Sequence, residues 1–366
     1  MSLSLSPDTI RAALTAVLDP DLQTDIVTLG CVRELEVDGG QVRFTVEQPT
    51  FSAAARDSIH EQARAVVAAL PGVESVDVTM AVRVRSATAP EHGRPPLPGV
   101  KNVVAVGAGK GGVGKTTVSV NLALALSKTG ARVGILDGDI YGPNIPLMLG
   151  LRAELSSDGR QIRPAEKFGL QVVSIGFMTG DDQAVIWRGP MVHGAIQQFV
   201  RDVGWRDLDY LIIDMPPGTG DVALSLSQTV PVAGAVVVTT PQQVSLADSR
   251  RAVRMYQKLN IPTLGIVENM SYYACPNCHH ESDIFGFGGG EQIATAMSVP
   301  FLGRLPVYQP ISVGSDRGIP ILIAEPDAVA SRAFGQVAHR VAVQVAVAAY
   351  KNAVANKGKI PLIPVR

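Results

Sequence analysis

The sequence predicts an α/β protein, with a small N-terminal α+β domain followed by a larger domain built on a doubly wound parallel sheet. A chain of 366 residues has room for two or three domains. Apolar residues make up 46% and charged residues 18%, which is typical of a folded protein and excludes a disordered one. Four prolines within 86–99 indicate a linker, so we expect domains over 1–85 and 100–366.

The N-terminal domain is expected to follow an αββαβ order. A serine, a proline and an aspartate at 6–8 are typical of a helix start, and apolar residues continue at helical spacing to Leu18. Alternating apolar residues over 34–46, interrupted by Asp-Gly-Gly, predict a hairpin. A second helix over 52–70 and a half-buried strand over 76–84 complete the domain.

Short apolar runs alternate with helical stretches in the rest of the chain. Continuous apolar runs between helices are typical of strands that are buried on both faces, as in a parallel sheet. A last helix over about 326–355 is expected to pack on this sheet. The runs that predict strands are 103–106, 133–136, 211–213, 235–238 and 264–267.

The charge balance and the cysteine content limit the cellular compartment and the classes of partner that we expect. Lysine and arginine number 32 against 33 acidic residues, a net charge of -1, so no general positive field attracts nucleic acid or anionic lipid. No uncharged apolar segment is long enough to cross a bilayer, and the first residues do not resemble a signal peptide. Three cysteines, two of them at Cys-x-x-Cys spacing, favour a reducing compartment. We expect a cytoplasmic protein without nucleic-acid or membrane partners.

A glycine-rich phosphate-binding loop lies between the first predicted strand of the large domain and the following helix. Gly109, four residues, then Gly114, Lys115 and Thr116 fit the P-loop pattern in its required setting. The loop amides and the helix N-terminus favour phosphate, Lys115 is expected to reach the β- and γ-phosphates, and Thr116 to bind Mg2+. The predicted ATP-binding residues are Gly109, Lys110, Gly111, Gly112, Val113, Gly114, Lys115, Thr116 and Thr117.

Carboxylates follow two further apolar runs. Asp214 ends a buried strand, as a residue that holds Mg2+ through water must. The glycine-containing loop 215–221 behind it is placed to sense the γ-phosphate. Asp137 and Asp139 end another strand, and either catalysis or ordinary turn and cap chemistry accounts for them.

The additional lysine of the loop, Lys110, gives the segment its family character. Gly-Lys-Gly-Gly-Val-Gly-Lys-Thr-Thr resembles the deviant Walker A motif of the MinD/ParA class, in which this lysine reaches the nucleotide of a partner subunit. Together with further motifs, residues 100–350 resemble the Mrp (ApbC-type) iron-sulfur cluster carrier ATPases. These motifs are Asp-Gly-Asp-Ile-Tyr-Gly-Pro-Asn at 137–144, Trp-Arg-Gly-Pro-Met at 187–191, Asp-Met-Pro-Pro-Gly-Thr-Gly-Asp at 214–221, Glu-Asn-Met at 268–270 and Cys-Pro-Asn-Cys at 275–278.

This resemblance implies a set of roles. Lys110 and Lys115 act in ATP hydrolysis, Asp139 orients the attacking water, and Asn269 contacts the base. Cys275 and Cys278 hold an iron-sulfur cluster. Two thiolates are half of what a 4Fe-4S cluster usually requires, so a symmetric homodimer is expected to supply four. The partners implied are a second copy, iron-sulfur assembly factors and recipient apoproteins.

The N-terminal domain is similar to a small domain found in iron-sulfur maturation factors. Asp-Pro-Asp-Leu at 19–22 and Asp-Ile-Val-Thr-Leu-Gly at 25–30 carry the likeness. Relatives often have Pro-Ala-Cys-Pro before the second helix, whereas this chain has Pro-Thr-Phe-Ser at 49–52. Thiol chemistry is therefore not expected there, and Cys31 is expected to be a buried core residue.

Other interpretations of the same motifs stay open on sequence alone. A positioning ATPase of the MinD/ParA type would not need the cysteine pair. A structural dimer bridged by zinc would use the same thiolates. The pair is also compatible with an intrachain redox disulfide. His279 and His280 follow Cys278 directly and are either further metal ligands or solvated loop residues.

Overall fold

The structure is a computed structural model, and its described part divides into two compact units. The described residues are 5–88, 97–139, 142–152, 156–157, 161–177, 194, 199, 201–218, 229–275, 277–278 and 280–355. The first unit comprises the chain to Ala87 together with 346–355, and the second comprises the described residues between them. Most of the predicted linker, 89–96, lies outside the described residues.

The predicted domain division assigned the C-terminal residues of the chain to the large domain, and the structure groups them differently. The last described residues group with the first unit, where Asn352 donates a hydrogen bond to the carbonyl of Ala87. Ala349 and Tyr350 are buried there. Burial of this apolar helix end is the physical reason for the difference.

The first unit contains the predicted αββαβ order and one short strand pair in addition. Its three-stranded sheet has β3 antiparallel to β4 and β4 parallel to β5. The first helix ends at Leu14, before the predicted Leu18, because Leu18 and Asp19 pair with Asp25 and Thr24 instead. The elements are α1 (Pro7–Leu14), β1 (Leu18–Asp19), β2 (Thr24–Asp25), β3 (Val32–Asp38), β4 (Gln41–Gln48), α2 (Ala53–Ala68) and β5 (Ser75–Val82).

The second unit contains the large sheet and its helices. Its strands are β6 (Val100–Ala108), β7 (Val133–Asp137), β8 (Ser156–Ser157), β9 (Ile162–Arg163), β10 (Ala165–Lys167), β11 (Leu170–Ser174), β12 (Leu208–Asp214), β13 (Val232–Thr239), β14 (Thr263–Ala274), β15 (Glu281–Ser282) and β16 (Phe301–Val307). Its helices are α3 (Lys115–Lys128), α4 (Ile145–Met148), α5 (Gln243–Lys258), α6 (Gly289–Ala296), α7 (Gln309–Asp316), α8 (Ile321–Ala324) and α9 (Val329–Ala355), the last of which continues into the first unit.

The sheet confirms the predicted fold class and explains why functional residues gather at one edge. Its strand order is β10-β11-β7-β12-β6-β13-β14-β15, and β16 pairs with β14. The pairs from β11 to β14 and the β14–β16 pair are parallel, and β7, β12 and β13 are buried along their whole length. Ligands of open parallel sheets bind at the carboxyl ends of the strands. The register aligns Asp214 with both Val106 and Asp137 at that edge.

None of the described helices is long and apolar enough to span a membrane.

Candidate nucleotide site and cysteine hairpin

The phosphate-binding loop has a backbone that only glycine adopts readily. Gly112 and Gly114 have φ angles of 80° and 78°, in the left-handed region. A Cβ on Gly114 would lie 2.3 Å from the Asn269 Nδ2 atom, and one on Gly109 would lie 2.2 Å from the backbone of Asp248. A Cβ on Gly112 would meet nothing within 4 Å, so the loop stays open at that point. The loop is thus closely held from two sides and accessible at Gly112.

A buried cluster of charged and hydroxyl groups lies directly behind the loop. Asp214 is fully buried and accepts hydrogen bonds from Lys115 Nζ at 2.6 Å, Thr116 Oγ1 at 2.7 Å and Ser119 Oγ at 2.5 Å. The Lys115 ammonium also lies 3.8 Å from Asp139 Oδ2. A buried carboxylate is tolerated only with such partners. The cluster brings together a lysine, a threonine and two carboxylates, the groups that a magnesium-nucleotide site uses.

The two aspartates at the end of β7 differ in their surroundings. Asp137 is buried and accepts hydrogen bonds from the backbone N–H groups of Ile145 and Asp139 and from Ser174 Oγ. Burial, and then the charge of Asp214, raises the pKa of Asp137 to about 7. Turn and cap chemistry therefore describes Asp137, whereas the side chain of Asp139 lies near Lys115. The catalytic role of Asp139 stays a prediction.

The remaining predicted nucleotide residues lie around the loop. Lys110 is half-buried and forms no ion pair with another described residue. Thr117 lies in the first turn of α3. Asn269 is buried, and its amide donates to the carbonyl of Val113 at 2.8 Å. Asn269 is therefore adjacent to the loop, while its predicted contact with a base stays a prediction.

The two cysteines lie at the tip of a β-hairpin. Tyr273 and Ala274 of β14 pair with Ser282 and Glu281 of β15, and the Cys275 N–H donates to the carbonyl of His280. Both thiols are free; that of Cys278 is exposed and that of Cys275 is half-buried.

Hydrogen bonds within the hairpin tip favour a thiolate. The backbone N–H groups of Cys278 and then Asn277 donate to the Cys275 sulfur, and together with the Cys278 thiol they lower its pKa. Such donors stabilise the form that binds a metal. The described residues contain no group of three or more His, Cys, Asp or Glu side chains that could hold a metal ion. The described part of the hairpin thus offers two sulfur atoms as possible metal ligands.

Exposed apolar side chains follow the hairpin directly. Ile284, Phe285 and Phe287 are 57%, 42% and 58% exposed, and the Arg304 guanidinium lies 4.5 Å from the Phe287 ring centroid. A concentrated exposed apolar patch is typical of an interaction surface. The patch lies within the run Ile-Phe-Gly-Phe, which begins two residues after β15.

Several sequence predictions lie elsewhere or outside the described residues. Cys31 is buried, as predicted, and burial raises the pKa of its thiol to about 12. Thr50, in the Pro-Thr-Phe-Ser segment at 49–52, is buried as well. The motif at 187–191, the end of the loop at 219–221 and His279 lie outside the described residues.

Comparison with known proteins identifies both parts of the chain. The family model described as ParA, NUBPL iron-transfer P-loop NTPase, matches residues 99–342, and the model of the iron-sulfur cluster assembly protein matches residues 7–79. The iron-sulfur cluster carrier protein of Synechocystis is 45% identical over 352 residues, covering 94% of this chain and 99% of the relative.

Two solved structures support the fold. A nucleotide-binding protein from Archaeoglobus fulgidus in complex with ADP has a TM-score of 0.55 and 36% identity, covering 63% of this chain and 91% of that one. The cell division ATPase MinD of Pyrococcus furiosus has a TM-score of 0.50 and 25% identity, covering 66% and 98%. The predicted resemblance to a carrier-type P-loop ATPase is confirmed.

Proposed function

Because the chain belongs to the family of NUBPL iron-transfer P-loop NTPases, we propose that it uses ATP to carry an iron-sulfur cluster and deliver it to apoproteins. The observation that carries this proposal is the pairing, in one unit, of a P-loop with a two-cysteine hairpin. The chain is a P-loop ATPase, and the cluster is its cargo. Relatives that are carriers in bacteria, together with its free cysteines, support a place in the cytoplasm.

The residues behind the loop fit magnesium and ATP. We expect Lys115 to bind the β- and γ-phosphates, and Thr116 and Asp214 to bind Mg2+. Mg2+ supplies neutralisation of the charge that develops on the phosphates. We expect Asp139 to orient the attacking water and Lys110 to contact the nucleotide bound by a second copy of the chain. The fit rests on Lys115, Thr116 and Asp214 already meeting within hydrogen-bond distance.

The cargo site is half of a cluster site. Two thiols on one hairpin, with no third ligand among the residues that the structure describes, match one side of a symmetric site. A 4Fe-4S cluster is usually held by four thiolates, and a two-fold axis turns two into four. We therefore assign Cys275 and Cys278 to a 4Fe-4S cluster that bridges a homodimer, with the apolar patch at Ile284, Phe285 and Phe287 beside it.

Anaerobic reconstitution followed by transfer to an apo-ferredoxin tests this function. The wild-type protein is expected to gain visible absorbance with iron and sulfide, and to pass the cluster on. A matched control is Cys31→Ala, which removes a buried thiol of the first unit and should leave loading intact. Binding of zinc alone, without iron or sulfide, would favour the zinc-bridged structural dimer, since thiolates accept both metals. Assembly factors that supply the cluster are the further partners that this proposal implies.

A further inference from the structure

Strand β14 contacts the phosphate-binding loop in its middle and carries the cysteine hairpin at its end. Between these two points its pairing with β16 is irregular, because the register shifts between Glu268 and Tyr272. Met270 has a φ of 54°, in the left-handed region that a side chain of its kind rarely adopts. The segment 268–271, which we call the β14 bulge, is thus a strained interruption of the pairing with β16, and a further register shift lies between Ile266 and Val267. Such strain persists only where surrounding contacts hold it.

One side of the β14 bulge is tied to the phosphate-binding loop. Asn269 donates to the carbonyl of Val113 at 2.8 Å. The Met270 Cε atom lies 3.7 Å from the position that a Cβ would take on Gly114. Val113 and Gly114 are the residues immediately before Lys115, so a rearrangement of the loop around phosphate acts on the bulge directly.

The other side is tied to the segment that follows the hairpin. The Glu268 carboxylate is fully buried, accepts from Ser271 Oγ at 2.5 Å and from the Gly288 N–H at 3.3 Å, and also accepts from the Gly290 N–H in the first turn of α6. It has no ion pair among the described residues. A buried carboxylate without a cation depends on these donors and on the positive end of the helix. Glu268 therefore fixes the bulge to the end of segment 284–288.

We propose that the β14 bulge couples the nucleotide site to the cysteine hairpin, with Glu268 as the positioning residue that links the two. Neighbouring side chains point to different partners: Asn269 holds the phosphate-binding loop, and Glu268 holds the segment that carries Phe285 and Phe287. From the bulge, the strand continues without interruption to Ala274, and Cys275 follows directly. Occupancy of the loop thus alters how the two thiols are presented. This inference rests on the proposed function and specifies how ATP acts on cargo binding.

The test measures the alkylation rate of Cys275 and Cys278 by iodoacetamide in the metal-free, full-length protein, with and without Mg-ADP. The reaction runs at a concentration where sedimentation shows single chains, so that dimer formation does not cover the thiols. Labelled peptides are quantified by mass spectrometry, and the buried Cys31, which should stay unlabelled, shows that the chain remains folded during the reaction. We expect Mg-ADP to change the rate in wild type by about fivefold, the lower range of measured coupling between sites.

Glu268→Gln keeps the shape of the side chain and removes its charge. In this variant the alkylation rate with Mg-ADP should differ little from the rate without it, so that their ratio is about one. The affinity for ADP should stay within about twofold of wild type. Ser271→Ala removes one donor to the Glu268 carboxylate and should bring the ratio of the rates with and without Mg-ADP part of the way to one. If Glu268→Gln does not fold, Ser271→Ala alone tests the coupling. Asp209→Asn is the matched control: it neutralises another buried carboxylate, which is bound to Lys101 Nζ at 2.7 Å, and should keep the wild-type ratio.

The coupling would be overturned by a wild-type alkylation rate that does not change with Mg-ADP, or by a Glu268→Gln protein that keeps the wild-type ratio of rates. It would also be overturned if Asp209→Asn lost the Mg-ADP effect as completely as Glu268→Gln. Loss of ADP binding in Glu268→Gln would also overturn it, because Glu268 would then serve the nucleotide site itself. The labelling does not require a cluster. It therefore separates a failure of this inference from a failure of the carrier function, which the reconstitution experiment detects by itself.

Discussion

The nucleotide site and the cysteine hairpin differ in how far their functional groups are buried, although both lie on the same sheet. In the nucleotide site, Lys115 and Asp214 are buried and bound to each other at 2.6 Å. In the hairpin, the Cys278 thiol is exposed, and three large apolar side chains nearby are exposed as well. The charged groups behind the phosphate-binding loop thus have partners within the chain, whereas the thiols of the hairpin are free.

This contrast fits a carrier that passes on its cargo. A pre-organised cluster of charges loses little entropy when it binds phosphate. A cluster held by two chains is released when the chains separate, which a fully enclosed site would prevent.

The largest effect is expected at the hairpin. Cys275→Ala should abolish the visible absorbance of the reconstituted cluster and its transfer, because each copy then offers a single thiolate. ATP affinity should remain nearly unchanged, since the groups expected to hold the nucleotide and Mg2+, Lys115, Thr116 and Asp214, are bound to one another and not to Cys275. Absorbance spectra and a nucleotide titration measure both properties. Full iron and sulfide content in this variant would show that the ligands are elsewhere.

The next effect is expected behind the phosphate-binding loop. Lys115→Ala removes the cation from the buried Asp214 carboxylate and should weaken Mg-ATP binding by about a hundredfold or more. Titration with a fluorescent ATP analogue measures it. The matched control is Lys101→Ala, which removes a lysine bound to the different carboxylate of Asp209 and should keep ATP affinity. Equal affinity in the two variants would contradict the assignment of the nucleotide site.

A smaller effect on binding, with a larger one on turnover, is expected for Lys110→Ala. The side chain has no ion pair among the described residues of its own chain, as expected for a group that acts on a partner subunit. Loss of one such charge in the transition state should lower kcat by about a hundredfold and leave ATP affinity nearly unchanged.

Mixed dimers decide whether Lys110 acts across subunits. A Lys110→Ala subunit is combined with a Lys115→Ala subunit, which retains Lys110 but cannot bind nucleotide. Hydrolysis by the first subunit should recover in this mixture. If it does not, Lys110 does not act across the dimer.

The smallest effect is expected from the apolar patch. Phe287→Ser should weaken the cluster-loaded dimer by about tenfold, or about 1.4 kcal/mol, because the interface loses apolar burial. Sedimentation at several concentrations measures the dimer dissociation constant. Leu18→Ser is the control, since this side chain is 49% exposed in the first unit. The same loss in both variants would mean that the patch has no special place in the dimer.

The sequence indicated the cluster of Lys115, Thr116 and Asp214 better than the surroundings of the hairpin, for a physical reason. Lys115 and Thr116 are adjacent in the chain, and Asp214 ends a continuous apolar run, so local patterns identify them. The Glu268 contacts depend on Gly288 and Gly290, about twenty residues away, and only the register and the placement of α6 bring them together. The exposure of Ile284 and Phe287 is likewise a tertiary property that an apolar run does not reveal.

Two elements show the same limit in the fold. The first helix ends at Leu14 although its apolar spacing continues to Leu18, because pairing with the strand at 24–25 competes with the helix. The end of the last helix groups with the first unit, which a single helical pattern cannot indicate. Element type was predictable from periodicity, whereas boundaries and partners depended on contacts distant in sequence.

The most direct test of the bridged cargo site is the mass of the anaerobically reconstituted wild-type protein, measured by native mass spectrometry with iron and sulfide analysis. We expect cluster-loaded protein to contain two chains with four irons and four sulfides, and removal of the cluster by a chelator to lower the dimer fraction. A full cluster on a single chain, or a dimer that contains zinc and no iron, would contradict this expectation.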